Sequence, residues 1–315
     1  MKPDSPVLRG EPDIGDAPSG PGQAPAPPGQ VPAFPGRGRR RIAALVGGGP
    51  VGSRLASVFL AVVVLCAILA PLVAPYGPDA IDFAASLSPA TPEHLLGADQ
   101  SGRDLLSRVM YGARTSLIGP LVLLAVASVV GVAIGTLAAW SRGWVDAVLS
   151  RVTDVMYAFP GLLFVVLVVA VFGNGMTTAV LALGLAYAPT IAKYTRSIAI
   201  TECAKPYIDA YRVQGMGSLA ICVWHLIPNL ARSLVGYLVV LFGEGLMSLA
   251  TLSFLGFGAQ PPSSDWGLMV KEGQAAIVQG AFLPVLVPGA AIALVVVSFN
   301  VIGVRLADRL GTRRL

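Results

Sequence analysis

Charge is scarce in this chain. Of its 315 residues, 12% are Asp, Glu, Lys or Arg, against about 25% in an average soluble domain. Cysteine is scarcer still. Cys66, Cys203 and Cys222 are too few and too scattered for a disulfide framework or a zinc cluster. A phosphate-cradling loop of the G-x-x-x-x-G-K-[ST] kind is missing too. The runs Gly47-Gly48-Gly49-Pro50 and Gly173-Asn174-Gly175 lack the Lys-Ser/Thr that would hold phosphate and magnesium. These absences exclude a soluble globular enzyme and a secreted disulfide scaffold. What is abundant is apolar surface: hydrophobic residues make up 55% and the mean hydropathy is +0.72. That leaves a protein embedded in a lipid bilayer. The net charge of +5 reads as an orientation signal rather than as a nucleic-acid footprint, because the basic residues flank apolar runs.

A spanning helix needs about 20 mostly apolar residues. Six stretches approach or meet that length: 55–75, 117–140, 155–172, 178–197, 234–256 and 282–306. Lys193 and Arg196 lie near the end of the fourth, where long side chains can reach the interface. Sorted by the segments between spans, eighteen Lys and Arg fall on one side and four on the other. The positive-inside rule therefore predicts an all-α bundle of six transmembrane helices with both termini cytoplasmic. His94 and His225, the only histidines, then face opposite sides, so they share no metal site and no catalytic triad. Neither a catalytic nor a metal-ligating set is assembled anywhere in the sequence.

Three regions follow. Residues 1–50 are rich in Pro, Gly and Ala and read as a disordered cytoplasmic tail. Residues 51–112 hold the first span and an external loop, whose stretch Asp104–Ala113 carries Leu105, Leu106, Val109 and Met110 as the apolar side of a short amphipathic helix at the interface. Residues 113–315 hold the other five spans.

In that first external loop, Gly97 and Gly102 punctuate a run in which Asp99 and Asp104 alternate with Arg103 and Arg108. The pattern fits a contact for an external partner and equally a solvated linker that caps the bundle. A second external loop has a Gly and Pro cluster after Ser253, followed by Trp266, which suits an interfacial anchor. A fold-back over the mouth of a pathway and an ordinary turn are both compatible with it. Inside the fifth span sits Glu244. A charge there costs about 2.5–3.5 kcal/mol on insertion scales and so needs water or a partner, which makes it a candidate for lining a pathway or for bridging helices. Asp154, with Arg151 three residues earlier, reads as a helix-end pair. Gly131 and Gly135 form a G-x-x-x-G spacing that lets another helix approach, within this chain or from a second one. Tyr157, Phe159 and Pro160 mark a kink in the third span.

The cytoplasmic region 198–232 is too long for a simple turn. Pro206 suits the first turn of a helix, and Tyr207-Ile208-Asp209-Ala210-Tyr211-Arg212-Val213-Gln214 continues it. Asp209 and Arg212 stand three apart on one face. Gly215 supplies a left-handed stop. Ser218 is the expected N-cap of a second helix, which runs through Trp224 and His225 to Pro228-Asn229. The product is a helix, a glycine turn and a helix held between two spans.

This arrangement resembles the permease subunits of bacterial ABC importers. Their cytoplasmic loop carries Glu-Ala-Ala, three residues, Gly, nine residues and Ile-x-Leu-Pro. The counterparts here are Asp209-Ala210-Tyr211, Gly215 and His225-Leu226-Ile227-Pro228. His225-Leu226-Ile227-Pro228-Asn229 is similar to the version in the dipeptide, oligopeptide and nickel branch. His94 through Asp104, Tyr111 through Leu117 and Leu252 through Gly258 are similar to the C-type permease of that branch. The resemblance covers about residues 55–315, with Asp209, Tyr211 and Ile227 as departures. It implies a type I importer fold with no ATP site of its own. ATP and Mg would sit on two cytoplasmic ABC ATPases, a second homologous permease would complete the pathway, and an external substrate-binding lipoprotein would deliver a short peptide or related solute. Tyr207, Asp209, Ala210, Arg212, Gly215 and Pro228 would then receive the ATPase stroke. Gly97, Asp99, Gly102, Arg103, Asp104 and Trp266 would face the binding protein or gate the cavity. A secondary transporter driven by an ion gradient would instead show inverted repeats and several intramembrane charges; Glu244 is the one clear intramembrane charge, and no repeat is visible.

Overall fold

The computed structural model describes residues 50–311; the Pro-rich segment expected to be disordered lies outside the described residues. Eleven α-helices follow one another with no strand among the described residues: α1 (Pro50–Val73), α2 (Leu105–Ser141), α3 (Gly143–Ala158), α4 (Gly161–Phe172), α5 (Met176–Cys203), α6 (Pro206–Val213), α7 (Ser218–Ile221), α8 (Ile227–Leu255), α9 (Trp266–Glu272), α10 (Gln274–Val278) and α11 (Leu283–Gly311). A π-helical turn, Cys222–Leu226, joins α7 to α8.

Five of these helices, or the continuous runs they belong to, are long and apolar enough to cross a bilayer, and α3 with α4 supply a sixth crossing, bent by 85°. Contacts between helix ends fix the directions. Arg114, near the start of α2, reaches the end of α1. Met176, at the start of α5, lies against Gly119 of α2, and Arg212, just beyond the end of α5, lies over Trp140 at the end of α2. So α2 and α5 run parallel, and the chain between them must cross back. Gly236 of α8 packs on Ala307 of α11, and Arg305 donates to Ser53 of α1. Six crossings result, and both described ends lie on the side of α6, as the basic residues predict.

One expectation is met and one changes. The kink expected from Tyr157, Phe159 and Pro160 in the third span is present. The chain breaks at Phe159-Pro160, since the residue before a proline avoids the helical region and Phe159 is extended at φ −82°, ψ 129°. Residues Leu105 to Ala113 do not lie along the surface as a separate helix. Asp104 caps α2 by accepting from the Ser107 N–H at 2.7 Å, and the helix then continues for 37 residues. At 1.5 Å per residue it is about 55 Å long against a hydrocarbon core of about 30 Å, so its first turns stand outside the membrane.

The core is centred on α2 against α5. A Cβ on Gly131 would come 2.7 Å from the Ala188 carbonyl oxygen, and one on Gly135 2.5 Å from that of Ala192. The G-x-x-x-G spacing therefore serves packing inside this chain. Around this contact, Leu123, Ala127, Leu183 and Ile191 are buried, and α8 adds Leu246 and Leu249. Toward the outer end, α1 contains Pro71, whose missing N–H orphans the carbonyl four residues back. Arg114 fills that gap: Nε donates to the Ala67 oxygen at 2.6 Å and Nη2 to the Ile68 oxygen at 2.9 Å.

Candidate functional site

On the inner side, α6 forms a short knuckle between α5 and α8. Pro206 occupies its first turn and Ile208 is its buried anchor. It ends in a Schellman turn. The Met216 N–H donates to the Tyr211 oxygen at 3.1 Å, and Gly215 adopts φ +78°, a conformation that glycine takes cheaply. The expected left-handed stop is present. Gly217, not Ser218, holds the N-cap position of α7. No separate second helix stops at Pro228 either. Pro228 falls in the first turn of α8. It cannot donate to the carbonyl of Trp224, and the widened π turn comes just before it, letting α7 run on into α8.

Three helices hold the knuckle in place. Tyr207 Oη donates to Glu202 Oε1 at 3.0 Å and accepts from Asn229 Nδ2 at 3.2 Å, joining the end of α5 to the start of α8. Lys205 pairs with Glu202 at 2.7 Å. Burial pushes the Tyr207 phenol above its ordinary pKa, and the Glu202 carboxylate adds to this, so the phenol keeps the proton it donates. The Tyr211 ring stacks on His225 with centroids 4.0 Å apart. Arg212 lies over the Trp140 ring at 4.6 Å and donates to Asp209 at 3.0 Å. Of the residues singled out from sequence, Tyr207 and Arg212 fasten the knuckle, while Asp209 and Ala210 face outward beside Val213, 89% exposed. Leu219 and Trp224, in the segment that follows, are exposed as well. Glu202 and Trp140 are not singled out by the sequence, and Asn229 only as the last residue of the His225–Asn229 motif. Glu202, a lone carboxylate at the end of an apolar run and 3% exposed, was the one with a visible signal.

The outer loops form a second assembly. Arg108, 1% exposed, donates through Nη1 to Asp99 at 2.7 Å and to Glu272 at 2.8 Å, and through Nη2 to the Ser263 oxygen. Arg103 repeats the bridge to the same two carboxylates at 2.7 and 2.9 Å. His94 Nδ1 lies 3.1 Å from Asp104. Gly97 and Gly102 take φ of +80° and +77° where the loop folds on itself. Trp266 is no interfacial anchor. It is buried, its Nε1 donates to the Val109 oxygen at 3.0 Å, and its backbone N–H donates to Ser116 Oγ. Thus Asp99, Arg103, Asp104 and Trp266 satisfy one another and the chain's own backbone, and the first external loop is clamped onto the second.

Within the membrane, Glu244 is exposed on α8, one turn from Ser248, whose hydroxyl lies 3.0 Å from Tyr187 Oη. Asp154 does not pair with Arg151; it meets Lys193 at 2.9 Å. No cluster of three or more His, Cys, Asp or Glu fit to hold a metal occurs among the described residues.

A polytopic bundle with a braced inner knuckle and a clamped outer cap has the build of the membrane component of a transporter. Comparison with known proteins makes this specific. Residues 131–314 match the model for the binding-protein-dependent transport system inner membrane component, and residues 53–90 match the N-terminal TM domain of oligopeptide transport permease C. A di/tripeptide transport system permease protein of Pseudomonas aeruginosa is 35% identical over 80% of this chain and 85% of its own. A glutathione transport system permease protein of Escherichia coli is 34% identical over 81% and 84%. The inward-facing MetNI methionine ABC transporter has the same fold, with a TM-score of 0.53 at 18% identity, covering 64% of this chain and 96% of that one. The chain belongs to the family of binding-protein-dependent transport system inner membrane components. It is a multi-pass inner-membrane permease with the type I ABC importer fold.

Proposed function

We propose that this permease imports short peptides or a related small solute. In this reading it forms half of the pathway beside a second homologous permease and is driven by two cytoplasmic ATPases that carry all of the ATP and Mg. An external substrate-binding lipoprotein delivers the cargo. The observation that carries the reading is the knuckle. A helix of eight residues is fastened to α2, α5 and α8, yet presents Asp209, Ala210 and Val213 outward, exposed among the described residues. A fastened lever with an open apolar tip suits a partner that pushes it. Glu244 supports the pathway, because an exposed carboxylate on a spanning helix is stable facing water or a second polar subunit and not lipid. The relatives named for di/tripeptides and glutathione support the cargo class.

The test is reconstitution of this chain with its companion permease in liposomes, with and without the ATPases. Val213→Cys should crosslink to an ATPase subunit, and uptake of a labelled dipeptide should require both ATP and the ATPases. Uptake with no ATPase present, or crosslinks placing residue 213 on the outer face, would overturn the reading.

A further inference from the structure

The way α3 is attached is unlike that of any spanning helix around it. Its only buried residue is Thr153, so little hydrophobic burial holds it to the bundle. It is tied to α5 by ions instead. Arg196 grips Asp146 with both Nε and Nη2, each at 2.6 Å, and Ser150 supports that carboxylate at 3.2 Å. Lys193 pairs with Asp154 at 2.9 Å and also lies 4.3 Å from the centre of the Tyr157 ring. The two carboxylates are two turns apart, about 12 Å along α3, whereas the two cations are three residues apart, about 4.5 Å along α5. The two pairs join α3 to α5 at separate points, where a single link would allow a pivot.

The neighbours give this brace its meaning. α5 packs tightly on α2 through Gly131 and Gly135, and it leads into the knuckle within three residues of its end at Cys203. Beyond α3 the chain breaks at Phe159-Pro160 and turns 85° into α4. So α3 lies between two breaks, at Arg142 after α2 and at Phe159-Pro160 before α4, and the two ion pairs link it to α5 between them.

We infer that the Asp146–Arg196 and Asp154–Lys193 pairs transmit the motion of the knuckle from α5 to α3, swinging the third span about the Phe159-Pro160 break. This rests on the importer reading above and adds to it a set of positioning residues. The pairs are partly exposed, with Arg196 36% and Asp146 22% accessible, so they contribute little to stability and can be altered without unfolding the bundle.

The experiment uses the complete transporter in lipid discs. Spin labels at Val148 on α3 and Ile200 on α5 should keep their separation between nucleotide-free and ATP-trapped states, while labels at Val148 and Phe172, across the break, should change theirs. Arg196→Asp should broaden the first distance. It should lower labelled-dipeptide uptake by about tenfold while ATP hydrolysis stays within about twofold, the split expected when only a linkage is lost. The exchanged pair Asp146→Arg with Arg196→Asp should restore at least half of the uptake, which a general packing defect would not do. A wild-type distance between 148 and 200 that changes with nucleotide would overturn the inference, as would failure of the exchange to rescue an assembled complex. Loss of ATP dependence in the wild type would instead strike the importer reading, and the distance measurements hold apart from it.

Discussion

Replacing Gly215 with valine separates backbone conformation from packing. The residue sits at φ +78°, and a Cβ added there meets nothing within 4 Å. The whole penalty is therefore conformational: about 1–2 kcal/mol for an L-residue in the left-handed region, and up to about 3 for a β-branched one. A domain with stability of about 5–15 kcal/mol survives that, so the chain should still reach the membrane. The knuckle feels it differently, because its last turn opens locally and independently of the bundle. At about 1.4 kcal/mol per tenfold in population, the capped geometry should fall by about ten- to a hundredfold relative to its open form. ATP-driven uptake in right-side-out vesicles loaded with ATP should drop accordingly, at unchanged amounts of chain and ATPase in the membrane. Gly215→Asn is the control, since asparagine tolerates this region, and it should retain most of the uptake. Normal uptake by the valine variant would refute the reasoning. So would an asparagine variant as impaired as the valine one, because the defect would then not be one of φ.

Three further outcomes are expected. Arg108→Met leaves Arg103 as the one cation shared by Asp99 and Glu272 and strips the Ser263 carbonyl of its donor, at a cost of about 1–3 kcal/mol; the thermal midpoint in detergent should fall and protease should cut the outer loops. Gly135→Leu drives a side chain into the Ala192 carbonyl and the Thr195 Cβ, so overpacking should reduce the folded chain recovered from membranes by more than Gly289→Leu, where the added atom meets nothing. Arg114→Leu orphans the Ala67 carbonyl beside Pro71, at about 1–3 kcal/mol, and should accelerate hydrogen exchange at the outer end of α1 while leaving the knuckle unaffected.

The spans were legible because a bilayer demands length and apolarity, which are local properties of 55–75, 117–140 or 282–306. The knuckle was legible for the same reason: Pro206, Gly215 and Pro228 each impose a backbone state on their own. The residues that brace it were not, since Trp140, Glu202 and Asn229 are brought together only by helix packing. Pro160 announced a break, but its 85° angle depends on what α3 meets. The outer clamp was the least legible part. Arg103 and Glu272 are 169 positions apart, and a row of charges next to glycines looks the same whether it faces a partner or its own chain. Trp266 has the composition of an interface anchor, and only its fit beneath Gly112 and its bonds to Val109 and Ser116 make it part of the core.

The first span also has a history written into it. As it leaves the ribosome, α1 carries the Ala67 carbonyl that Pro71 leaves bare, and its donor, Arg114, lies 47 residues further along the chain. Until that guanidinium arrives, the helix is an unfinished part in hydrocarbon. That cost, about 1–3 kcal/mol for one unpaired carbonyl, favours release of α1 to lipid together with α2 over release alone.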